Sequence, residues 1–173
     1  DKNILEDINL DIYQGDFLLI TGPNGGGKTS LLRTILRLQS PTKGRISFFR
    51  QGEPVSSLDM GYLPQKNSID SRFPITVEEV VASGLMGNTQ KGNTKFDSKK
   101  EIDEMLDLMG ITALRNKPIG VLSGGQLQRS LFGRALISKP EMLILDEPAS
   151  YIDRQFGNRM FEILRDLSSN GTT

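Results

Sequence analysis

The stretch Gly22-Pro23-Asn24-Gly25-Gly26-Gly27-Lys28-Thr29 decides how the rest of this 173-residue chain is interpreted. It fits the pattern G-x-x-x-x-G-K-[ST], and it lies between the apolar run of residues 17–21 and a helical spacing of leucines and isoleucines over residues 29–38. A buried strand, a glycine-rich turn and a helix are the context in which this pattern binds phosphates. Glycines let successive backbone N–H groups point at phosphate oxygens, and the helix adds the positive end of its dipole. The sequence therefore predicts a nucleotide-binding loop.

The side chains of this loop have separate expected roles. Lys28 is expected to reach the β- and γ-phosphates, and the Thr29 hydroxyl is expected to bind Mg²⁺. Because the backbone of the whole turn would surround the phosphates, the predicted nucleotide contacts are Gly22, Pro23, Asn24, Gly25, Gly26, Gly27, Lys28, Thr29 and Ser30.

A second apolar run, residues 142–145, ends in the two acids Asp146 and Glu147. A buried strand can present carboxylates only at its carboxyl end, which is where ligands bind in open α/β sheets. Asp146 is expected to hold Mg²⁺ through water, and Glu147, which points the other way, is expected to orient or polarise the attacking water. Taken alone, such a run is more typical of a strand entering a surface loop, but the phosphate loop upstream favours the catalytic interpretation.

Composition excludes several other classes of function. The chain has 21 Lys and Arg against 21 Asp and Glu, so it lacks the basic excess of a protein that binds nucleic acid through phosphates. It has no His and no Cys, which excludes a Ser-His-Asp triad, a His general base and a zinc site with His or thiolate ligands. No apolar run is long enough for a membrane-spanning helix, and no charged-then-apolar leader indicates a signal peptide. Any membrane role is expected to come through a partner.

Hydrophobic patterning predicts an α/β core interrupted by a helical block. Thr76 with Glu79, and Ser98 with Glu101, have the spacing of a capping box at the start of a helix, and Gly110 has the place of a C-terminal cap. The polar residues 87–97 are a predicted surface loop. Predicted strands cover 4–12, 17–21, 45–49, 60–64 and 142–145, predicted helices cover 29–38, 76–85, 98–109, 124–138 and 153–167, and the predicted division is a core of 1–68 with 139–173 and a helical subdomain of 69–138.

A second glycine motif, Leu122-Ser123-Gly124-Gly125-Gln126, precedes one of these helices. Ser123 can cap that helix, but capping alone does not explain two glycines and a glutamine in this order. With this motif the chain resembles the nucleotide-binding domain of ABC transporters. In order along the chain, residues 22–29 resemble its Walker A loop, Gln65 its Q-loop glutamine, 122–126 its signature, 142–147 its Walker B strand and Asp153 its D-loop aspartate.

The resemblance implies a P-loop NTPase of the RecA-like kind, with a parallel-rich sheet, N-terminal antiparallel β strands and an inserted α-helical subdomain. It implies ATP and Mg²⁺ as cofactors, and head-to-tail pairing with a second nucleotide-binding domain. In that pair the signature residues Ser123, Gly124, Gly125 and Gln126 would cover the γ-phosphate held by the other domain.

The resemblance also completes the set of candidate site residues. It implies that Gln65 contacts Mg²⁺ or the attacking water and responds to a membrane partner, although alone it would be a surface glutamine. The predicted catalytic residues are then Glu147, Lys28 and Gln65, and the predicted metal ligands are Thr29, Gln65 and Asp146.

The resemblance further implies an ATPase that powers a partner permease from the cytoplasmic face of the cell membrane, with no nucleic acid as partner. Residues 73–81 resemble the corresponding segment of ATPases from zinc and manganese importers, so metal-ion import is the predicted function. The metal would not contact this subunit, because no ligand cluster is present to hold it. A soluble ABC-family ATPase that acts on ribosomes or DNA remains the alternative, and Glu147 argues against a nucleotide sensor that does not hydrolyse.

Some features depart from the family's pattern. Gly26 stands where alanine, serine or cysteine is common, and Tyr151-Ile152 replaces the more usual small and aliphatic pair of the D-loop. The family's adenine-stacking aromatic would precede Asp1, and its switch histidine would follow Thr173. We therefore expect a domain truncated at both ends, and we expect these residues alone to hydrolyse ATP poorly.

Overall fold

The structure, a computed structural model, describes residues 4–65, 74–86, 95–150 and 153–173. The elements, in chain order, are α1 (Lys28–Ile35), β1 (Phe48–Arg50), β2 (Glu53–Val55), β3 (Met60–Leu63), α2 (Val77–Ser83), α3 (Lys95–Leu108), two short 3₁₀ turns (Thr112–Leu114 and Ile119–Val121), α4 (Gly124–Leu136), β4 (Met142–Leu145) and α5 (Arg154–Ser169). None of the helices described is both long enough and apolar enough to cross a membrane.

The strands β3 and β4 form a parallel pair, with Met60 opposite Met142 and Leu63 opposite Leu145. On the other edge of β4, Thr173 donates its N–H to the carbonyl oxygen of residue 141 (3.0 Å) and accepts from the N–H of residue 143 (2.7 Å), which is the pattern of a parallel bridge. The carboxyl ends of β3 and β4 therefore lie side by side, and the residues that follow them emerge at one edge of the sheet.

A hairpin of β1 and β2 stands apart from this pair. Its strands are antiparallel, with Arg50 opposite Glu53. The two residues between them, Gln51 and Gly52, both have positive φ, which is the conformation of a tight hairpin turn whose twist matches its strands. A bidentate ion pair from Arg50 to Glu141 joins the hairpin to the start of β4, with N–O distances of 2.7 and 2.6 Å.

The helical block packs onto the sheet through α4, which contacts α2, α3 and β3. Two glycines allow α4 to approach closely. A Cβ atom on Gly61 would lie 2.1 Å from the carbonyl oxygen of Ala135, and one on Gly84 would lie 2.1 Å from that of Arg134. The largest fully buried side chains include Phe132, Leu63, Leu106, Met109, Ile111 and Met160.

Several local predictions are confirmed. Thr76 accepts from the N–H of Glu79 (3.3 Å), and the Glu79 carboxylate accepts from the N–H of Thr76 (2.8 Å), which completes the capping box of α2. Gly110 has a φ of +65° after α3, as a C-terminal cap requires. The predictions for β3, β4, α4 and α5 are correct to within two residues at each end.

The predictions around α3 are partly wrong. The helix begins at Lys95, so Ser98 lies inside it and is not its cap. Of the predicted loop 87–97, residues 87–94 lie outside the described residues, and 95–97 are helical. The pattern of Ser98 and Glu101 gave a wrong start for this helix, because serine and glutamate also occur within the first turns of a helix.

The predicted strands over 4–12 and 17–21 are wrong, since no strand is assigned to either segment. Phe17 and Leu19 are 61% and 76% exposed rather than buried. A strand exists only through hydrogen bonds to a neighbour, and among the described residues no strand is paired with either segment. The antiparallel strands are β1 and β2 instead. Helix α1 also ends at Ile35, three residues before the predicted end. Of the predicted strand 45–49, only Phe48 and Phe49 lie in a strand, β1, which extends to Arg50.

Candidate functional site

The phosphate loop is curled around the amino group of its own lysine. Lys28 Nζ donates to the carbonyl oxygens of Gly22 and Pro23, both at 2.9 Å. Gly25 and Gly27 have φ values of +78° and +86°, a backbone conformation that residues other than glycine rarely adopt. Gly27 provides no side-chain cap to α1, so the first N–H groups of this helix are available to an anion in the loop. The loop has the backbone geometry and the charge to hold a phosphate.

The second half of the site is joined to the first by one short hydrogen bond. The Thr29 hydroxyl donates to Asp146 Oδ2 at 2.7 Å, across 117 positions of sequence. Asp146 is 4% exposed, and its N–H donates to the carbonyl oxygen of Leu63 at 2.9 Å, so its position is held by both strands of the parallel pair.

This contact fits a magnesium site. A hydroxyl and a carboxylate are hard oxygen donors, which is what Mg²⁺ prefers. Within the described residues no group of three or more His, Cys, Asp or Glu side chains could hold a metal ion. A nucleotide-bound Mg²⁺ needs only one or two protein ligands, because phosphate and water oxygens supply the others. Thr29 and Asp146 are therefore suitable ligands for that ion.

Gln65 and Glu147 lie at the same edge of the sheet, but they take no part in the hydrogen bond between Thr29 and Asp146. Gln65 follows β3 by two residues and Glu147 follows β4 by two, and both are exposed. Glu147 has a φ of +51°, and its carbonyl oxygen accepts from the N–H of Ser150 (3.1 Å) to close a turn. In the described part of the chain, neither side chain hydrogen-bonds to Thr29 or Asp146. Their predicted contacts to the metal or the attacking water stay predictions.

The signature residues form the start of α4. Ser123 accepts from the N–H of Gln126 (3.3 Å), and the Gln126 side chain accepts from the N–H of Ser123 (3.0 Å), which is a capping box. The predicted serine cap is confirmed, and Gln126 is occupied in the same cap. Ser123 and Gly124 are exposed, so this helix end is accessible to a second molecule. The predicted contact to another domain's nucleotide stays a prediction.

Two further residues near Asp146 were not identified from the sequence. Burial raises the pKa of Tyr62, the charge of Asp146 raises it further, and a hydrogen bond with Arg33 opposes both. Arg33 follows Thr29 by four positions, so the two residues share one face of α1, from which Thr29 contacts Asp146 and Arg33 contacts Tyr62 of β3. The four-residue spacing from Thr29 was the sequence signal that could have identified Arg33. No such signal existed for Tyr62, because the residues it interacts with, Arg33 and Asp146, are distant from it in sequence.

Comparison with known proteins gives consistent matches. The family described as ABC transporter matches residues 5–150. A Chlamydia pneumoniae protein named "Probable metal transport system ATP-binding protein" is 41% identical over 174 residues, covering 98% of this chain and 71% of that protein. The zinc import ATP-binding protein ZnuC of Haemophilus influenzae is 40% identical over 152 residues, covering 88% of this chain and 51% of that protein. The chain thus spans about half of one of these relatives and about seven tenths of the other.

A solved structure agrees with the fold. It is the dimeric post-hydrolysis state of the ATP-binding cassette MJ0796 bound to ADP and Pi, with 27% sequence identity and a TM-score of 0.84. The match covers 98% of this chain and 77% of that one. A TM-score of this size over nearly the whole chain confirms the predicted fold class, a P-loop ATPase cassette with parallel and antiparallel strands.

Proposed function

Because this chain belongs to the ABC transporter family, we propose that it binds and hydrolyses ATP to drive transport through a partner permease. The hydrogen bond between Thr29 and Asp146 carries this proposal, because it joins the phosphate loop to the carboxylate strand at one edge of the sheet. A glycine-rich loop without a carboxylate beside it could bind phosphate, but it could not also hold the metal that phosphoryl transfer requires.

ATP binding would use residues 22–30. The Lys28 ammonium would exchange the carbonyl oxygens of Gly22 and Pro23 for β- and γ-phosphate oxygens, which are charged and therefore stronger acceptors. The N–H groups of the loop and of the first turn of α1, including that of Ser30, would surround the same phosphates. Thr29, Asp146 and Gln65 would hold Mg²⁺, which supplies neutralisation of the charge that develops on the phosphates.

Hydrolysis would use the groups that follow the two strands. Glu147 would accept a proton from the attacking water at its carboxylate, and Gln65 would help to orient that water from the end of β3. Both side chains are exposed at the sheet edge where Asp146 lies, so a water molecule between them and the γ-phosphate is sterically accessible. We assign Glu147, Lys28 and Gln65 as the catalytic residues on this basis.

The signature would act on a second molecule. The exposed amino end of α4 offers the Ser123 hydroxyl and backbone N–H groups of Gly124 and Gly125, with Gln126 holding the cap. Two copies paired head to tail would each place the amino end of α4 over the nucleotide bound by the other copy. ATP binding would then hold the two copies together. The matched cassette, which is dimeric with ADP and Pi, supports this arrangement.

The cargo we propose is a metal ion such as zinc or manganese, taken up by import. Relatives named for zinc import and metal transport support this. The protein would work at the cytoplasmic face of the membrane through its permease, and residues 69–138 would form the subdomain that docks there. No described cluster of side chains could bind the metal, so the cargo would pass through the permease alone.

The proposal is tested by measuring Mg²⁺-ATP affinity for the wild type, Lys28→Ala and the matched control Lys43→Ala. Lys43 is exposed in the loop between α1 and β1 and is not part of the phosphate loop. We expect Lys28→Ala to weaken binding about 10- to 100-fold, the value of a charge-assisted hydrogen bond, and Lys43→Ala to leave it unchanged. Equal affinity for all three proteins would refute ATP binding at this loop.

A second measurement tests hydrolysis and pairing. Glu147→Gln should retain ATP binding, lose turnover and accumulate as an ATP-bound dimer in size-exclusion chromatography. If Glu147→Gln turns over ATP at the wild-type rate, the assignment of Glu147 as the base is wrong. If nucleotide never produces a dimer of either protein, the proposed role of residues 123–126 is wrong.

A further inference from the structure

Two consecutive residues of α4 contact the connection that carries Glu147. Gln128 is 1% exposed, and its Nε2 donates to the carbonyl oxygen of Pro148 at 3.4 Å. Arg129 forms an ion pair with Asp153. Pro148 directly follows Glu147, and Asp153 is the N-cap of α5. One helix therefore holds both described ends of the connection between β4 and α5.

The guanidinium of Arg129 is held in place by more than one group. It lies over the ring of Phe156, with 4.4 Å between Cζ and the ring centroid. Asp153 divides its carboxylate between two partners, since Oδ1 accepts from the N–H of Phe156 (2.9 Å) and Oδ2 accepts from Arg129. These hydrogen bonds, chiefly that from the N–H of Phe156, hold the pKa of Asp153 below its usual range, so its carboxylate is charged at neutral pH. A planar guanidinium with both a carboxylate and an aromatic face as neighbours has little freedom to move.

The conformation of Glu147 needs such support. Its φ of +51° lies in the left-handed region, which costs a non-glycine residue free energy and persists only where the surroundings impose it. The turn from Glu147 to Ser150 closes with one backbone hydrogen bond of 3.1 Å. The contacts from α4, one inside this turn at Pro148 and one after it at Asp153, are therefore suited to fix the direction of the Glu147 side chain.

We propose that Arg129, together with Gln128, is a positioning residue that sets Glu147 for proton transfer without contacting the nucleotide. The inference rests on the proposed function, because it assigns a role in the turnover proposed for Glu147. Helix α4 starts at the capping box of Ser123 and Gln126, so the helix whose end would meet one nucleotide also holds the base that acts on the other. Helix α4 would in this way connect the nucleotide site that its amino end meets with the site at which Glu147 acts.

The test compares substitutions in the full-length protein, with ATP affinity, kcat, KM and thermal unfolding measured for each. Arg129→Gln should lower kcat tenfold or more, while KM and ATP affinity change less than about twofold, because a misplaced base slows the chemical step without altering binding. Arg134→Gln is the matched control, since Arg134 lies on the same helix and is exposed. It should behave as the wild type.

A second pair of variants separates positioning from stability. Asp153→Asn removes the charge but keeps an oxygen that can cap α5, so it should retain stability and lower kcat as Arg129→Gln does. The double variant should have the kcat of the single variants, because both changes remove one contact. Arg129→Lys keeps the charge without the planar fork, and its kcat should lie between those of the wild type and Arg129→Gln.

Each outcome decides the proposal. An unchanged kcat in Arg129→Gln would overturn it while leaving ATP hydrolysis intact, and so would a parallel fall of kcat, ATP affinity and melting temperature in both Arg129→Gln and Asp153→Asn, which indicates a structural role alone. A wild type that neither binds nor hydrolyses ATP would refute the proposed function and this inference together. A loss confined to kcat, absent from Arg134→Gln, supports it.

Discussion

Replacing Gly61 by alanine tests the close packing of α4 on β3. The added methyl group would lie 2.1 Å from the carbonyl oxygen of Ala135 and 3.0 Å from Leu143 Cδ1. The leucine side chain can rotate away, but the carbonyl belongs to the backbone of α4 and moves only if the helix moves. Overpacking of this kind costs about 1–3 kcal/mol. In a chain of this size each kcal/mol lowers the melting temperature by roughly 2–4 °C, so we expect a fall of roughly 2–12 °C.

Two other glycines serve as comparisons. Gly84→Ala meets the same obstacle, the carbonyl oxygen of Arg134 at 2.1 Å, and should also destabilise. Gly157→Ala is the matched control, because a Cβ atom there has nothing within 4 Å and the position lies inside α5. Alanine is favoured over glycine in a helix by about 1 kcal/mol, so this variant should melt above the wild type.

The assay is thermal and urea unfolding followed by far-UV circular dichroism, with all four proteins under the same conditions. The order of melting temperatures should place Gly157→Ala first, then the wild type, then Gly61→Ala and Gly84→Ala. If Gly61→Ala melts at or above the wild type, the direct contact between α4 and β3 is not as described.

Three further variants test individual contacts. Thr29→Val leaves the buried Asp146 carboxylate without its donor and should cost about 1–3 kcal/mol in urea unfolding, whereas Thr29→Ser should retain stability. The pKa of Glu141 is lowered chiefly by its hydrogen bond with Arg50, so the stabilisation it provides is present above the ordinary value of 4.5 and is lost as the pH falls through its folded pKa. Urea unfolding at neutral and at acid pH should therefore show a smaller loss of stability on acidification in Glu141→Gln than in the wild type, and equal losses would contradict the pair. Thr76→Ala removes the cap of α2 and should lower the free energy of unfolding by about 1 kcal/mol, with Thr76→Ser restoring most of it, and no change in Thr76→Ala would count against the cap.

Much of the candidate site and several helix caps could be predicted from the sequence because each depends on residues close together in the chain. The phosphate loop, the acids after β4 and the caps at Thr76 and Ser123 each depend on residues within a few positions of one another. Glycines at positions of positive φ, and side chains that bond to a backbone N–H three residues away, impose their geometry whatever surrounds them.

The sequence alone determined which residue types stand at the loop, at the strand end and at the signature, and hence the family. The tertiary structure decided which of them meet. It placed the Thr29 hydroxyl on Asp146, and it brought Arg129 to Asp153 across the space between two helices. It also left residues 17–21 outside any sheet, against the prediction from their apolar run. The reason is physical: caps and turns are satisfied within the segment that forms them, whereas a strand or an ion pair between elements depends on partners that only the folded chain brings near.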